Sequence, residues 1–210
     1  MQNLFSNQEP QKRELKLPDA EVVFYESFFS EIESKKIFKA LKENIDWQQN
    51  EIKLFGKIHL EPRLTAWYGT KAYAYSGIEM QPKDFTKEIL QIKNRVEEAT
   101  NLCFNSCLLN YYRDGKDSMG WHQDNEKELG KNPAIASVSF GQERPFQMKH
   151  LENRPLKKVD ILLSNGSLLL MKGAMQHFWQ HSVPKEKKVK NFIIPPRNNK
   201  IKGDLRLSKY

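Results

Sequence analysis

Asn110-Tyr111-Tyr112-Arg113-Asp114-Gly115-Lys116-Asp117-Ser118-Met119-Gly120-Trp121-His122-Gln123-Asp124 runs through a polar turn into a His-x-Asp pair. On extended backbone, side chains two apart point the same way. The His122 imidazole and the Asp124 carboxylate can therefore reach one cation from a single short piece of chain. A third ligand has to come from elsewhere, and His181 is a candidate. Two nitrogens and one carboxylate on one face of an octahedron leave three positions open, which is what an Fe(II) centre needs to hold a co-substrate and dioxygen together. Taken alone, the pair is explained equally well by a polar turn after Gly120.

Short apolar or alternating runs lie around and beyond this stretch: Cys107 to Arg113, Ala134 to Phe140, Pro145 to Lys149, Val159 to Leu163, Leu168 to Lys172 and Phe178 to Val183. Gly, Asn, Asp and Pro separate them, the signature of strands joined by turns. Two helices are predicted ahead of them. Ser30-x-x-Glu33 is a capping-box pattern, and Ile37, Phe38, Leu41 and Ile45 follow at helical spacing, so a helix runs to about Asn44. Phe85, Ile89, Ile92, Val96 and Ala99 recur at steps of four and three after Pro82 and Asp84, giving a second helix. Helices first and short strands afterwards predict an α+β domain with the helices packed on one side of a strand assembly.

The 210 residues suit one domain with a substantial core. No apolar run reaches the ~18 residues that a membrane helix requires. Met1 to Pro18 is polar, without the apolar stretch of a secretory signal. The expectation is a monomeric, cytoplasmic protein with a polar segment over residues 1–18 and a single domain over residues 19–210. Cys103 and Cys107 are too few for a disulfide framework or a four-thiolate zinc site, and Phe104 and Leu108 beside them predict that both are buried. The net charge is +8, and residues 185–210 hold nine basic residues against Glu186 and Asp204, so the rest of the chain is nearly neutral. A basic end of this kind serves equally as a solvated tail or as a contact for phosphates.

His59, His150, His177 and His181 are the remaining histidines. His59 lies among apolar neighbours that favour ordinary structure, and His150 sits beside Glu152, Asn153 and Arg154 in a predicted loop. His177 and His181 flank Phe178-Trp179, and both stay open as the third ligand on position alone.

Trp121-His122-Gln123-Asp124, Ala136-Ser137-Val138-Ser139-Phe140-Gly141 and Trp179-Gln180-His181-Ser182-Val183-Pro184-Lys185 resemble, in order, segments of the AlkB family of Fe(II)/2-oxoglutarate-dependent dealkylases. So do Pro62-Arg63-Leu64-Thr65-Ala66-Trp67-Tyr68-Gly69 and Tyr73-Ala74-Tyr75-Ser76-Gly77, and the likeness spans about Ala20 to Lys185. The resemblance implies a double-stranded β-helix, or jelly roll, supported by N-terminal helices. It also implies iron held by His122, Asp124 and His181, with 2-oxoglutarate and dioxygen as co-substrates. The expected activity is oxidative removal of N-alkyl groups from 1-methyladenine or 3-methylcytosine in DNA or RNA.

The far carboxylate of 2-oxoglutarate needs a cation and neutral donors, and the planar fork of arginine meets a carboxylate in a bidentate manner. The family's Asn-x-Tyr pair matches Asn110 and Tyr112. Its Arg-x-Asn-Leu-Thr-Phe-Arg segment matches Arg206-Leu207-Ser208, with Ser208 where Asn is usual; Lys209-Tyr210 follows, and the second arginine has no counterpart. Arg197 or Arg144 would have to stand in for it. Family members hold a flipped base between an aromatic ring and a ligand histidine. Trp67, Tyr73 and Tyr75 are the expected rings, Arg63 would meet a phosphate or base edge, and Glu126 would meet an exocyclic amine. The alternatives are a dioxygenase acting on a protein or small molecule, and a nucleic-acid-binding module with an impaired co-substrate site.

Overall fold

Ser30 and Glu33 close the expected capping box: Glu33 N donates to Ser30 Oγ at 3.3 Å and Ser30 N donates to a Glu33 carboxylate oxygen at 2.8 Å. Helix α1 then runs Glu31–Asn44. In the computed structural model, which describes residues 11–54, 56–70, 73–75, 78–153, 155–186 and 202–208, it follows strands β1 (Lys12–Leu17) and β2 (Ala20–Tyr25). Strand β1 pairs with β2 along its whole length. Two small hairpins come next, β3 (Glu51–Leu54) with β4 (Lys57–Leu60), and, beyond β5 (Leu64–Gly69), β6 (Tyr73–Tyr75) with β7 (Ile78–Met80). Helix α2 covers Lys87–Thr100 with Thr86 as its N-cap, so Phe85 precedes the helix and packs against the core from outside it.

The remaining strands are β8 (Ser106–Tyr112), β9 (Met119–His122), β10 (Ile135–Gly141), β11 (Arg144–His150), β12 (Val159–Leu163) and β13 (Ser167–Lys172). A short turn of helix, α3 (Met175–Phe178), leads to β14 (Trp179–Val183), and β15 (Lys202–Ser208) comes last. They form two antiparallel sheets in the orders β1-β2-β13-β10-β15-β8-β5 and β12-β11-β14-β9. This is the predicted jelly roll with helices on one side. Alternation along each strand divides two cores. Cys107, Leu109, Val138, Phe140, Leu168, Leu170, Leu205 and Leu207 face the helices and pack on Ile37, Leu41, Ile89, Ile92 and Val96. Tyr112, Ile135, Leu169 and Met171 face the other way and meet Phe146, Met148, Ile161, Leu163 and Trp179 of the smaller sheet.

Three further expectations are corrected. Cys103 is exposed while Cys107 is buried, because Cys103 lies in the connection after α2 and only Cys107 is on the core face of β8. His150 is the last residue of β11, not a loop residue; its Nε2 lies 3.2 Å from Asp19, and its ring stacks on Phe178. The basic end is not one uniform tail, since Lys202–Ser208 is an inner strand of the large sheet, between β10 and β8. Lys187, Lys188, Lys190, Arg197 and Lys200 lie outside the described residues.

Phe140 is 1% exposed and packs on Phe29 at a ring separation of 5.5 Å, at the meeting of α1 with the large sheet. Replacing it with Ala should cost about 3–5 kcal/mol in chemical denaturation. Ile32→Ala, at a residue that is 81% exposed, should stay within about 0.5 kcal/mol.

Candidate metal centre

The edge of the smaller sheet brings the His-x-Asp pair to its partner. Strands β14 and β9 are antiparallel with His181 directly opposite His122, and Asp124 follows two residues after the end of β9. His122 Nε2 is 3.6 Å from one Asp124 oxygen, and His181 Nε2 is 3.3 Å from the other. One ligand atom from each residue lies within 4.8 Å of the others. His177, on α3, is exposed and takes no part in this cluster. Position along the chain could not separate the two histidines, whereas strand pairing does.

Each side chain is held from behind. His122 Nδ1 is 2.9 Å from the Gly120 carbonyl, an oxygen that can only accept, so Nδ1 carries the proton and Nε2 keeps its lone pair toward the cluster. The His181 ring is fully buried, stacks on Phe146 at 5.2 Å and meets His122 edge-on at 4.1 Å. Gln176, buried on α3, accepts from Asp124 N through its side-chain oxygen at 2.9 Å, while Gln123 donates back to the Gln176 carbonyl. Nothing in the sequence singled out Gln176 or Phe146. Their roles follow from the packing of α3 against the segment after β9 and of β11 beside β14.

Burial, joined by the charges of His181 and Arg206, pushes the His122 pKa well below the ordinary imidazole value. Burial would raise the Asp124 carboxyl, but the His181 and Arg206 charges and the His181 hydrogen bond outweigh it and hold the group far below the usual carboxylate range. A neutral imidazole and an ionised carboxylate are the forms that bind a metal. Arg206 Nη1 approaches the same atoms, 2.9 Å from His122 Nε2, 3.2 Å from His181 Nε2 and 3.6 Å from Asp124. A guanidinium nitrogen drawn to all three marks a common focus for positive charge. Two nitrogens and one carboxylate oxygen converging on it fit a divalent iron ion.

The expected co-substrate residues share the inner face of the large sheet. Asn110 and Tyr112 are buried two apart on β8, and Arg206 is buried beside β8 on β15. The Ser208 and Ser106 hydroxyls are 2.8 Å apart, tying β15 to β8. Trp67 is buried and lines a small cleft with Leu108, Asp124, Arg206 and Ser208. Glu126 is half-buried at the head of the single helical turn Lys127–Leu129.

Arg63, expected to meet a phosphate or base edge, is buried, its Nε donating to Asn110 Oδ1 at 2.9 Å and its Nη2 to Glu61 at 2.6 Å, so its guanidinium orients the Asn110 amide. Arg144 is not the substitute cation either, since its guanidinium donates to the carbonyls of Asp114, Asp117 and Pro184. Tyr73 and Tyr75 pair through their backbones with Met80 and Ile78; their side chains, like Arg197, lie outside what the structure describes.

A model of the 2OG-Fe(II) oxygenase superfamily matches residues 21–207. Over 173 residues the chain is 43% identical to "Alpha-ketoglutarate-dependent dioxygenase alkB homolog 3" of Homo sapiens, covering 79% of this chain and 60% of that protein. Over 186 residues it is 36% identical to "DNA oxidative demethylase ALKBH2" of Mus musculus, covering 83% of this chain and 76% of the relative. The chain thus spans about 60% of the length of its alkB homolog 3 relatives. The solved structure of OsALKBH1 superposes with a TM-score of 0.60 at 15% identity, over 94% of this chain and 100% of that one, a likeness of fold.

The turn that delivers β9 rests on Asp117, which accepts from Arg113 N and Nε at 2.8 Å and from Arg113 Nη2 at 3.0 Å. Burial raises the Asp117 pKa, but the hydrogen bonds and charge of Arg113 outweigh it, and the net direction is down. A carboxyl with a depressed folded pKa adds stability above its unfolded pKa, and that stability is lost as pH falls through the folded value. Asp117→Ala should therefore cost about 1.5–3 kcal/mol at neutral pH. In denaturant titrations at decreasing pH, the gap to the wild-type protein should close once Asp117 is protonated in both folded and unfolded states.

Proposed function

Because the chain belongs to the AlkB family of the 2OG-Fe(II) oxygenase superfamily, we propose that it removes alkyl groups oxidatively from bases of DNA or RNA, 1-methyladenine and 3-methylcytosine among them, and so reverses alkylation damage. One observation carries this proposal: His122, Asp124 and His181 converge from two strands as two imidazole nitrogens and an ionised carboxylate. These three would hold the iron. When bound, Fe(II) with 2-oxoglutarate and dioxygen supplies the oxidant that converts an N-methyl group to N-hydroxymethyl, with 2-oxoglutarate ending as succinate and carbon dioxide.

The protein's own part is placement and exclusion of water. The buried Arg206 guanidinium would take a carboxylate of 2-oxoglutarate, with Tyr112 and the Asn110 amide as neutral donors and Ser208 beside them. Arg63, which can only donate hydrogen bonds, gives one to Asn110 Oδ1, turns the Asn110 NH2 the other way and leaves it to donate. Trp67, in the cleft wall next to Asp124, would bound the space for the base, with Tyr73 and Tyr75 completing it and Glu126 meeting an exocyclic amine. The N-hydroxymethyl product then loses formaldehyde and restores the base. With this activity goes a single monomeric domain working in the cytoplasm; no described helix is long and apolar enough to cross a membrane.

Mass spectrometry of 1-methyladenine- and 3-methylcytosine-containing DNA and RNA oligonucleotides tests the activity. The wild-type chain with Fe(II), 2-oxoglutarate and oxygen should release one formaldehyde per base repaired. Asp124→Ala should abolish turnover with an unchanged circular dichroism spectrum. No turnover of any member of the panel by the wild-type chain would overturn the proposal.

Recognition should divide between rings and charges, since stacking acts on the base and phosphate contacts do not. Tyr75→Ala should lower turnover and alter the ranking of lesions. Neutralising Lys185, Lys187, Lys188 and Lys190 together should weaken binding alike for every oligonucleotide and flatten its dependence on salt. The comparison needs only binding isotherms at several salt concentrations beside the turnover panel.

A further inference from the structure

Strand β9 carries His122 yet is poorly anchored by its own ladder. It has four residues, lies at the edge of the smaller sheet, and pairs with β14 only at His181 opposite His122 and Val183 opposite Met119, with an irregular register between. A metal site tolerates displacements of only about 0.5 Å in its donors. Something besides the ladder has to fix where β9 lies against β14.

Arg144, the first residue of β11, meets that need. It is 3% exposed. Its Nη1 donates to Asp114 O at 3.1 Å, and its Nη2 donates to Asp117 O at 2.8 Å and to Pro184 O at 2.6 Å. Asp114 and Asp117 belong to the turn that leads into β9, and Pro184 directly follows β14. The guanidinium carbon also lies 5.1 Å from the centre of the Tyr112 ring. The two segments touch nearby as well: Glu186 N donates to Gly115 O at 2.8 Å, and a Cβ on Gly115 would come within 2.6 Å of Glu186 O. One buried cation thus ties the approach to the His122 strand to the exit of the His181 strand and packs on a candidate co-substrate residue.

We propose that Arg144 is a positioning residue for the metal centre, setting the separation of His122 and His181 through main-chain carbonyls just before one ligand strand and just after the other. The inference rests on His122, Asp124 and His181 being the metal ligands. An arginine needed only for folding would affect stability and leave the geometry of the folded site alone. Losing a positioning contact behind metal ligands costs roughly ten- to a hundredfold in metal affinity.

The test is titration of the full chain with Co(II), followed through its visible absorption bands, beside thermal unfolding of the metal-free protein. Arg144→Met keeps the length of the side chain and removes every donor. Its Co(II) Kd should rise about ten- to a hundredfold with altered band positions. Arg144→Lys, which can still reach some of the carbonyls, should fall between. Arg95→Met is the control for lost stability, because Arg95 is bonded to Glu33 and the Phe28 carbonyl; it should melt earlier yet bind Co(II) as the wild type does. A folded Arg144→Met with wild-type affinity and spectrum would overturn the proposal. Should that variant not fold, an unchanged Co(II) Kd in Arg144→Lys does so. A wild-type chain that takes up no Co(II), or an Asp124→Ala variant that takes it up equally well, removes the metal site itself and this proposal with it.

Discussion

Two histidines from segments 59 positions apart stand directly opposite each other across one antiparallel pair, and the site depends on that register. A slip of one residue in either strand would turn its histidine to the outer face, since side chains alternate strictly along a strand. The pairing is short and irregular, so its accuracy comes from groups around it. Gly120 fixes the tautomer of His122, Phe146 covers the face of His181, and Gln176 holds the backbone of Asp124. The ligand atoms are few, but residues on β11, α3 and the turn before β9 all converge to place them.

The inner face of the large sheet explains why so many polar side chains are buried here. A buried amide or charge costs free energy unless it is paired. Along β5, β8 and β15 the chain pairs several of them with one another: Arg63 with Glu61 and Asn110, and Ser106 with Ser208. The opposite faces of the same strands are apolar and rest on α1 and α2. One sheet therefore does two jobs through alternation alone. Its outer face carries one apolar core, and its inner face carries the second core together with a polar, water-poor site in which the charges of Arg206 and Asp124 interact strongly.

Much of this was legible from local pattern. The capping box at Ser30 and Glu33 and the three- and four-residue steps of Ile89, Ile92 and Val96 report a helix whatever surrounds it, because cap and periodicity are properties of neighbouring residues. The same holds for His122 and Asp124, whose nearness follows from their two-residue spacing at the end of one strand. The resemblance to a known family added the jelly roll, the partner at His181 and the roles expected of Asn110, Tyr112 and Arg206.

What the sequence determined by itself was therefore the set of elements and the residues with the right chemistry; the tertiary structure decided which of them meet. Arg63 read as a cation for a phosphate or base edge, and its partner inside the fold, Asn110, lies 47 positions away. Arg144 read as a spare cation and proved to be spent on carbonyls of two separate segments. Cys103 and Cys107 read alike, yet the end of a helix exposes one and a strand face buries the other. Lys202–Ser208 read as part of a basic tail and became an inner strand, because β8 and β10 each offered it an unpaired edge. In every case the deciding contact lies between residues remote in the chain. Charge, size and period at a position record what a side chain can do, and only the packing of distant strands sets what it has to do.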